Sequence, residues 1–139
     1  MAAGDDTGLD VKEIEIVLRL FMAEAEEGFG VMEGGLLRME QQPDDREAVA
    51  QVFRAAHSLK GNAAAFGLTA LGALAHAVED VLDDLREGRI AVTPDRITLL
   101  LASVDVLREL LAAGTQGPQR LIGPHLELQQ RLLSARARQ

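Results

Sequence analysis

The chain has 139 residues, enough for one domain that buries a core without metal or disulfide support, and it contains no cysteine. That excludes disulfides, thiolate catalysis and cysteine-based zinc sites. A formal charge of −8 speaks against a grip on a nucleic-acid backbone, and with no Trp, no Tyr and four Phe there is no aromatic platform for single strands.

The amino-terminal MAAGDDTGLD lacks the regions of a signal peptide, and no apolar run approaches the ~20 residues that span a bilayer, so a soluble cytoplasmic domain with no membrane contact is expected. Residues 1–9 read as a loose leader. Asp10 is placed to cap a first helix whose stripe is Ile14, Val17, Leu18, Phe21 and Ala25. Gly28, Gly30, Gly34 and Gly35 weaken it by up to ~1 kcal/mol each. The period nonetheless resumes through Phe29, Met32, Leu36 and Met39, which predicts one helix to about Glu40, with a break near Gly34 as the rival.

Pro43 stops that helix and an Asp of the 44–45 pair caps the next. Val49, Val52, Ala56, Leu59, Ala63 and Phe66 recur at spacings of three and four, a core stripe that ends at Gly67. Thr69 is expected to cap a third helix with Leu71, Leu74, Ala75, Val78, Leu82 and Leu85 buried and Gly88 at its end. Thr93-Pro94 opens a fourth, built on Ile97, Leu100, Leu101, Val104, Leu107, Leu110 and Leu111. After a Gly114–Gly117 linker, Pro118 is expected to start a fifth helix, to about residue 136, using Leu121, Ile122, Leu126, Leu132 and Leu133. Strand alternation is absent and the connections are short. The expected fold is all-α: an antiparallel up-and-down four-helix bundle over about residues 10–113, with an additional C-terminal fifth helix over about 118–136, all in a single domain.

Beside the core stripe of the second helix, His57, Lys60, Gly61 and Ala64 form a strip at i, i+3, i+4, i+7. The third helix carries a similar strip of Gly72, His76, Glu79 and Asp83. In an antiparallel hairpin the two strips meet across one groove. Imidazole attacks through one ring nitrogen while the other keeps a proton, and a carboxylate that accepts this N–H fixes the ring and its tautomer. Glu79 is the candidate for that task; Lys60 can neutralise charge on an incoming anionic group, and Gly61 removes a side chain beside the ring.

The stretch AAHSLKGNAAAFG resembles the His-x-x-Lys-Gly motif of histidine-phosphotransfer (HPt) domains. The longer run from Phe53 to Gly88, FRAAHSLKGNAAAFGLTALGALAHAVEDVLDDLREG, is similar to the amino-terminal phosphotransfer domain of CheA-type chemotaxis histidine kinases. The FRAAHS lead, the FG turn and His76-x-x-Glu79 make it specific, and the likeness in helix order covers nearly the whole chain. The resemblance implies that His57 is phosphorylated, with Lys60, Gly61, His76 and Glu79 around it. It implies a donor, ATP with Mg on a separate kinase catalytic domain, and an acceptor, an Asp of a response-regulator receiver domain. The chain itself would bind no cofactor, and would be a phosphotransfer substrate and not an enzyme. Asn62 stands where chemotaxis kinases often have a second glycine, which leaves an HPt domain of a non-chemotaxis phosphorelay as the alternative.

Plainer readings accompany these. Lys60 alone is a solvated charge, Gly61 a mark of close helix packing, and His76 either a neighbour bonded to Lys60 or Glu79 or a space filler. His125 has no partner at telling spacing, and the Met and Phe residues read as core. A metal site from His57, His76 and Glu79 fails the Glu-x-x-His pattern of di-metal bundles, because Arg54 and Ala73 stand three residues before the histidines. No metal is therefore expected. A passive docking bundle leaves the Lys-Gly beside His57 unexplained.

Overall fold

The computed structural model of the protein describes residues 10–114 and 120–137. The expected leader, most of the 114–117 linker and Pro118 lie outside the described residues. Five helices and no strand are found among the described residues.

Helix α1, Val11–Gln41, runs unbroken through its glycines. Asp10 caps it, its carboxylate accepting from the Glu13 N–H at 2.8 Å. Phe21, Ala25, Phe29, Met32, Leu36 and Met39 are all buried, and this continuous apolar contact holds the helix together past Gly34. Its 31 residues rise about 46 Å, well beyond the reach of the helices beside it. The first turns accordingly carry exposed apolar side chains, Val17 among them at 40%, which departs from the expected stripe.

Helix α2, Arg46–Ala65, is capped by Asp45, which accepts from the Ala48 N–H at 3.0 Å. Its predicted stripe is buried from Val49 to Ala63, and Phe66 stacks on Phe21 with ring centroids 4.8 Å apart. Gly67, at φ +69°, turns the chain in a conformation that a side chain would strain. Helix α3, Thr69–Arg86, corrects one expectation: Thr69 is its first residue, and the cap position is Leu68, which makes no side-chain cap bond. The turn itself meets one first-turn donor instead, the Thr69 N–H donating to the Gly67 carbonyl at 3.0 Å. Helix α4, Pro94–Gly114, opens as expected, with Thr93 Oγ1 accepting from the Arg96 N–H at 3.2 Å.

Helix α5 spans Gly123–Ala135, so it begins five residues after Pro118. Residues 120–122 are not helical, and a local cap sets the start: His125 Nδ1 accepts from the Ile122 N–H at 3.2 Å. His125 therefore has a partner, contrary to expectation. The buried face is Leu128 and Leu132, whereas Ile122, Leu126 and Leu133 are each more than half exposed.

Helix α1 packs against α2 and α4, and α3 packs against the same two, the adjacency of an up-and-down bundle; α5 lies along α3 and α4. Charged ties fix the periphery. Arg108 of α4 forks onto Glu33 of α1 at 2.7 and 2.8 Å. Buried Asp84 receives Arg136 Nε at 2.7 Å and Arg89 Nε at 2.8 Å, fastening the end of α5 to α3. Burial pushes the Asp84 carboxyl upward, but the hydrogen bonds from Arg136 and Arg89 outweigh it and hold it below the ordinary carboxylate value. No helix among the described residues is long and apolar enough to cross a membrane.

Candidate functional site

Helix periodicity delivers the two strips to one groove. His57 stands one turn after Phe53 and one before Lys60 on α2, just off the buried Ala56 and Leu59. Glu79 lies on the facing side of α3 beside Val78 and Leu82, and the short Gly67 turn makes the helices antiparallel neighbours.

Across the groove one carboxylate serves two donors. His57 Nδ1 donates to Glu79 Oε2, and Lys60 Nζ donates to Glu79 Oε1 at 2.7 Å. An ionised carboxylate can only accept, so the bond assigns the proton of a neutral ring to Nδ1 and leaves the lone pair on Nε2. Glu79 is buried at 8%, yet the His57 side chain is 62% exposed. The anchor is protected and the reactive ring is accessible. Burial pushes the Glu79 carboxyl upward; the hydrogen bonds from Lys60 and His57, with the Lys60 charge, outweigh that and hold it below the usual carboxylate range. Gly61 is exposed, and a methyl group built on it meets nothing within 4 Å, so close helix packing does not account for this glycine.

His76 falls elsewhere. Its Nε2 is 3.6 Å from Asp80 Oδ1, one turn along α3, and its side chain is 59% exposed. It makes neither of the expected bonds to Lys60 or Glu79. His76, Glu79 and Asp80 have ligand atoms within 4.8 Å of one another, but both Glu79 oxygens are taken by Lys60 and His57. That grouping leaves out His57, so it is not the His57, His76 and Glu79 set that the sequence argued against.

Phe53, expected in the core, is half-buried and lies nearly parallel to the imidazole, with centroids 6.0 Å apart and 14° between planes. The signal was present in FRAAHS: positions four apart share a helix face, which puts Phe53 beside His57 as well as beside the core.

The family model for the Hpt domain matches residues 16–113, which takes in both strips and nearly all of the first four helices. The chain belongs to the Hpt domain family. This Hpt domain is 40% identical over 113 residues to the chemotaxis protein CheA of Treponema pallidum, a match covering 81% of this chain and 13% of that protein. It thus spans about an eighth of that relative's length. Among solved structures it is similar to the phosphorylated P1 domain of CheA3 in complex with CheY6 from R. sphaeroides, with TM-score 0.78, 25% identity, and coverage of 86% of this chain and 94% of that one. It is also similar to the histidine phosphotransfer domain of CheA in solution, at TM-score 0.76 and 29% identity over 86% of this chain and 91% of that one. The Hpt domain described here is of the CheA type, a phosphotransfer substrate domain with an all-α bundle, as expected from the motif and helix order.

Proposed function

We propose that this Hpt domain is the phosphoacceptor and phosphocarrier of a CheA-like two-component histidine kinase, with His57 Nε2 as the atom that carries the phosphoryl group. The observation that carries this reading is the Glu79 bridge, which holds the His57 Nδ1 proton on one oxygen and Lys60 on the other. In the first step the Nε2 lone pair attacks the γ-phosphorus of ATP held with Mg on the kinase catalytic domain. The N–P bond forms as the bond from phosphorus to the bridging oxygen breaks, and ADP leaves with that electron pair. Glu79 stabilises the charge that develops on the ring, and Lys60 faces the incoming oxygens. In the second step an aspartate carboxylate of a receiver domain attacks phosphorus and the N–P electron pair returns to Nε2.

Gly61 clears the approach for both partners, and His76, paired with Asp80 along α3, stands beside Glu79 as a further site residue. The resemblance to a P1 domain complexed with CheY6 supports a receiver as the acceptor, and ATP as donor accords with a cytoplasmic setting. We take the 139 residues as one phosphotransfer unit, with α5 as an accessory to the bundle.

The test is incubation with a CheA catalytic fragment and labelled ATP. Acid-labile label should appear on the wild type and vanish in His57→Gln, with helicity unchanged by circular dichroism. Label persisting on His57→Gln would assign the chemistry to His76 or His125.

A further inference from the structure

We propose that Phe53, clamped by Arg86, is a positioning residue that sets the plane of the His57 ring; the inference rests on the reading of His57 as phosphoacceptor.

Glu79 holds the imidazole at one atom only. A single hydrogen bond fixes where Nδ1 sits but leaves the ring free to tilt, because the second side-chain torsion of histidine has a broad, shallow profile. The side chain is mostly in solvent, so few neighbours restrain it. Phe53 supplies the missing restraint. It precedes His57 by one helical turn, and its ring lies within 14° of parallel at a centroid distance inside the range where aromatic pairs attract.

Phe53 is held in turn. The Arg86 guanidinium carbon stands 4.2 Å from the Phe53 centroid, in cation–π range, and Arg86 is anchored by Asp83 at 2.7 Å and Glu87 at 3.4 Å. The last turn of α3 thus reaches back over the groove to grip a residue of α2. Helix α3 contacts the imidazole twice, once directly through Glu79 and once through Arg86 and Phe53. The first contact places Nδ1, and the second orients the plane. Because the Nε2 lone pair lies in the ring plane, the plane sets the line along which phosphorus must approach.

Packing alone would give Phe53 a different signature. A ring needed only to fill the edge of the core would lower stability when shortened, without disturbing the signals of His57. The experiment therefore compares Phe53→Leu, Phe53→Tyr and Arg86→Gln in the whole 139-residue chain. Histidine ring-proton shifts and imidazole nitrogen shifts are read by NMR, unfolding midpoints by heat, and the rate of His57 phosphorylation with phosphoramidate. In that reaction Nε2 attacks phosphorus, the donor P–N bond breaks, and the nitrogen leaves as ammonia after taking a proton from water.

Phe53→Leu should lose the ring-current shift of the His57 ring protons and slow phosphorylation by on the order of tenfold, beyond any change explained by the folded fraction. Phe53→Tyr should restore both. Arg86→Gln, a change at an accessible position, should move the same signals in the same direction by a smaller amount and decides the matter if Phe53→Leu does not fold. Wild-type His57 shifts in folded Phe53→Leu, or in Arg86→Gln where Phe53→Leu is unfolded, would overturn the proposal. A wild-type chain that shows the ring-current shift but takes no phosphate on His57 would instead overturn the phosphoacceptor reading.

Discussion

Glu79 is the residue on which the groove turns, because its two oxygens face two donors from the same helix and neither oxygen is in open water. Its carboxyl is held below the ordinary value of 4.5, so the ionised bridge contributes its full stability above that pH and loses it as pH falls through the lower folded value. The wild type should therefore lose thermal stability in acid more steeply than Glu79→Gln, which has no charge to titrate there. The two melting curves should converge below about pH 4.5, and parallel curves would show that Glu79 is not the linked group. At neutral pH the same variant should phosphorylate slowly and let the proton spread over both His57 nitrogens, visible as averaged nitrogen shifts. Gly61 offers a cleaner separation of docking from stability. A side chain there has open space, so Gly61→Gln should raise stability by roughly 0.5–1 kcal/mol while slowing phosphorylation by a kinase domain and transfer to a receiver. A stable variant that exchanges phosphate at the wild-type rate would remove Gly61 from the docking surface.

At the scale of helices, adjacent glycines in α1 have opposite reasons to be there. A Cβ on Gly34 meets nothing within 4 Å, whereas one on Gly35 would fall 2.4 Å from Val52 Cγ2. Valine is stiff at its first torsion, so α1 and α2 would have to part. Gly34→Ala should stabilise by about 0.5–1 kcal/mol and Gly35→Ala should destabilise by about 1–3 kcal/mol in urea unfolding. Val52→Ala should relieve the second. Equal effects at the two positions would mean that the close approach is not maintained in solution. This pair also shows why the continuity of α1 was readable when its glycines argued against it: the apolar period from Phe29 to Met39 is a tertiary signal and outweighs local propensity. The start of α5 was not readable in the same way. Pro118 and Pro124 both suit a first turn, and only the reach of His125 back to Ile122 chooses between them. Leu126 and Leu133 fit a helical stripe as well as Leu128 and Leu132 do, and which stripe faces α3 and α4 is set by the docking of Arg136 on Asp84, a contact 52 residues apart.

For the molecule as a whole, spacing located what depends on backbone direction and missed what depends on side-chain direction. His57, Lys60 and Glu79 come together because a helical hairpin with a short turn must juxtapose those strips. His76 lies on the correct strip but turns along its own helix to Asp80, and Phe53 turns toward the imidazole; the i, i+4 spacing of each pair permits its contact but does not choose it over the alternatives. The rim position of His57 matters over time as well as in space. A ring that is 62% exposed can meet a kinase and then a receiver without any part of the bundle opening, so the domain needs no moving part. It also leaves a phosphoryl group in contact with water once the donor has gone. On the proposed reading the modified domain is perishable: a signal not collected by a receiver expires by hydrolysis, and the rim sets how long the message remains valid.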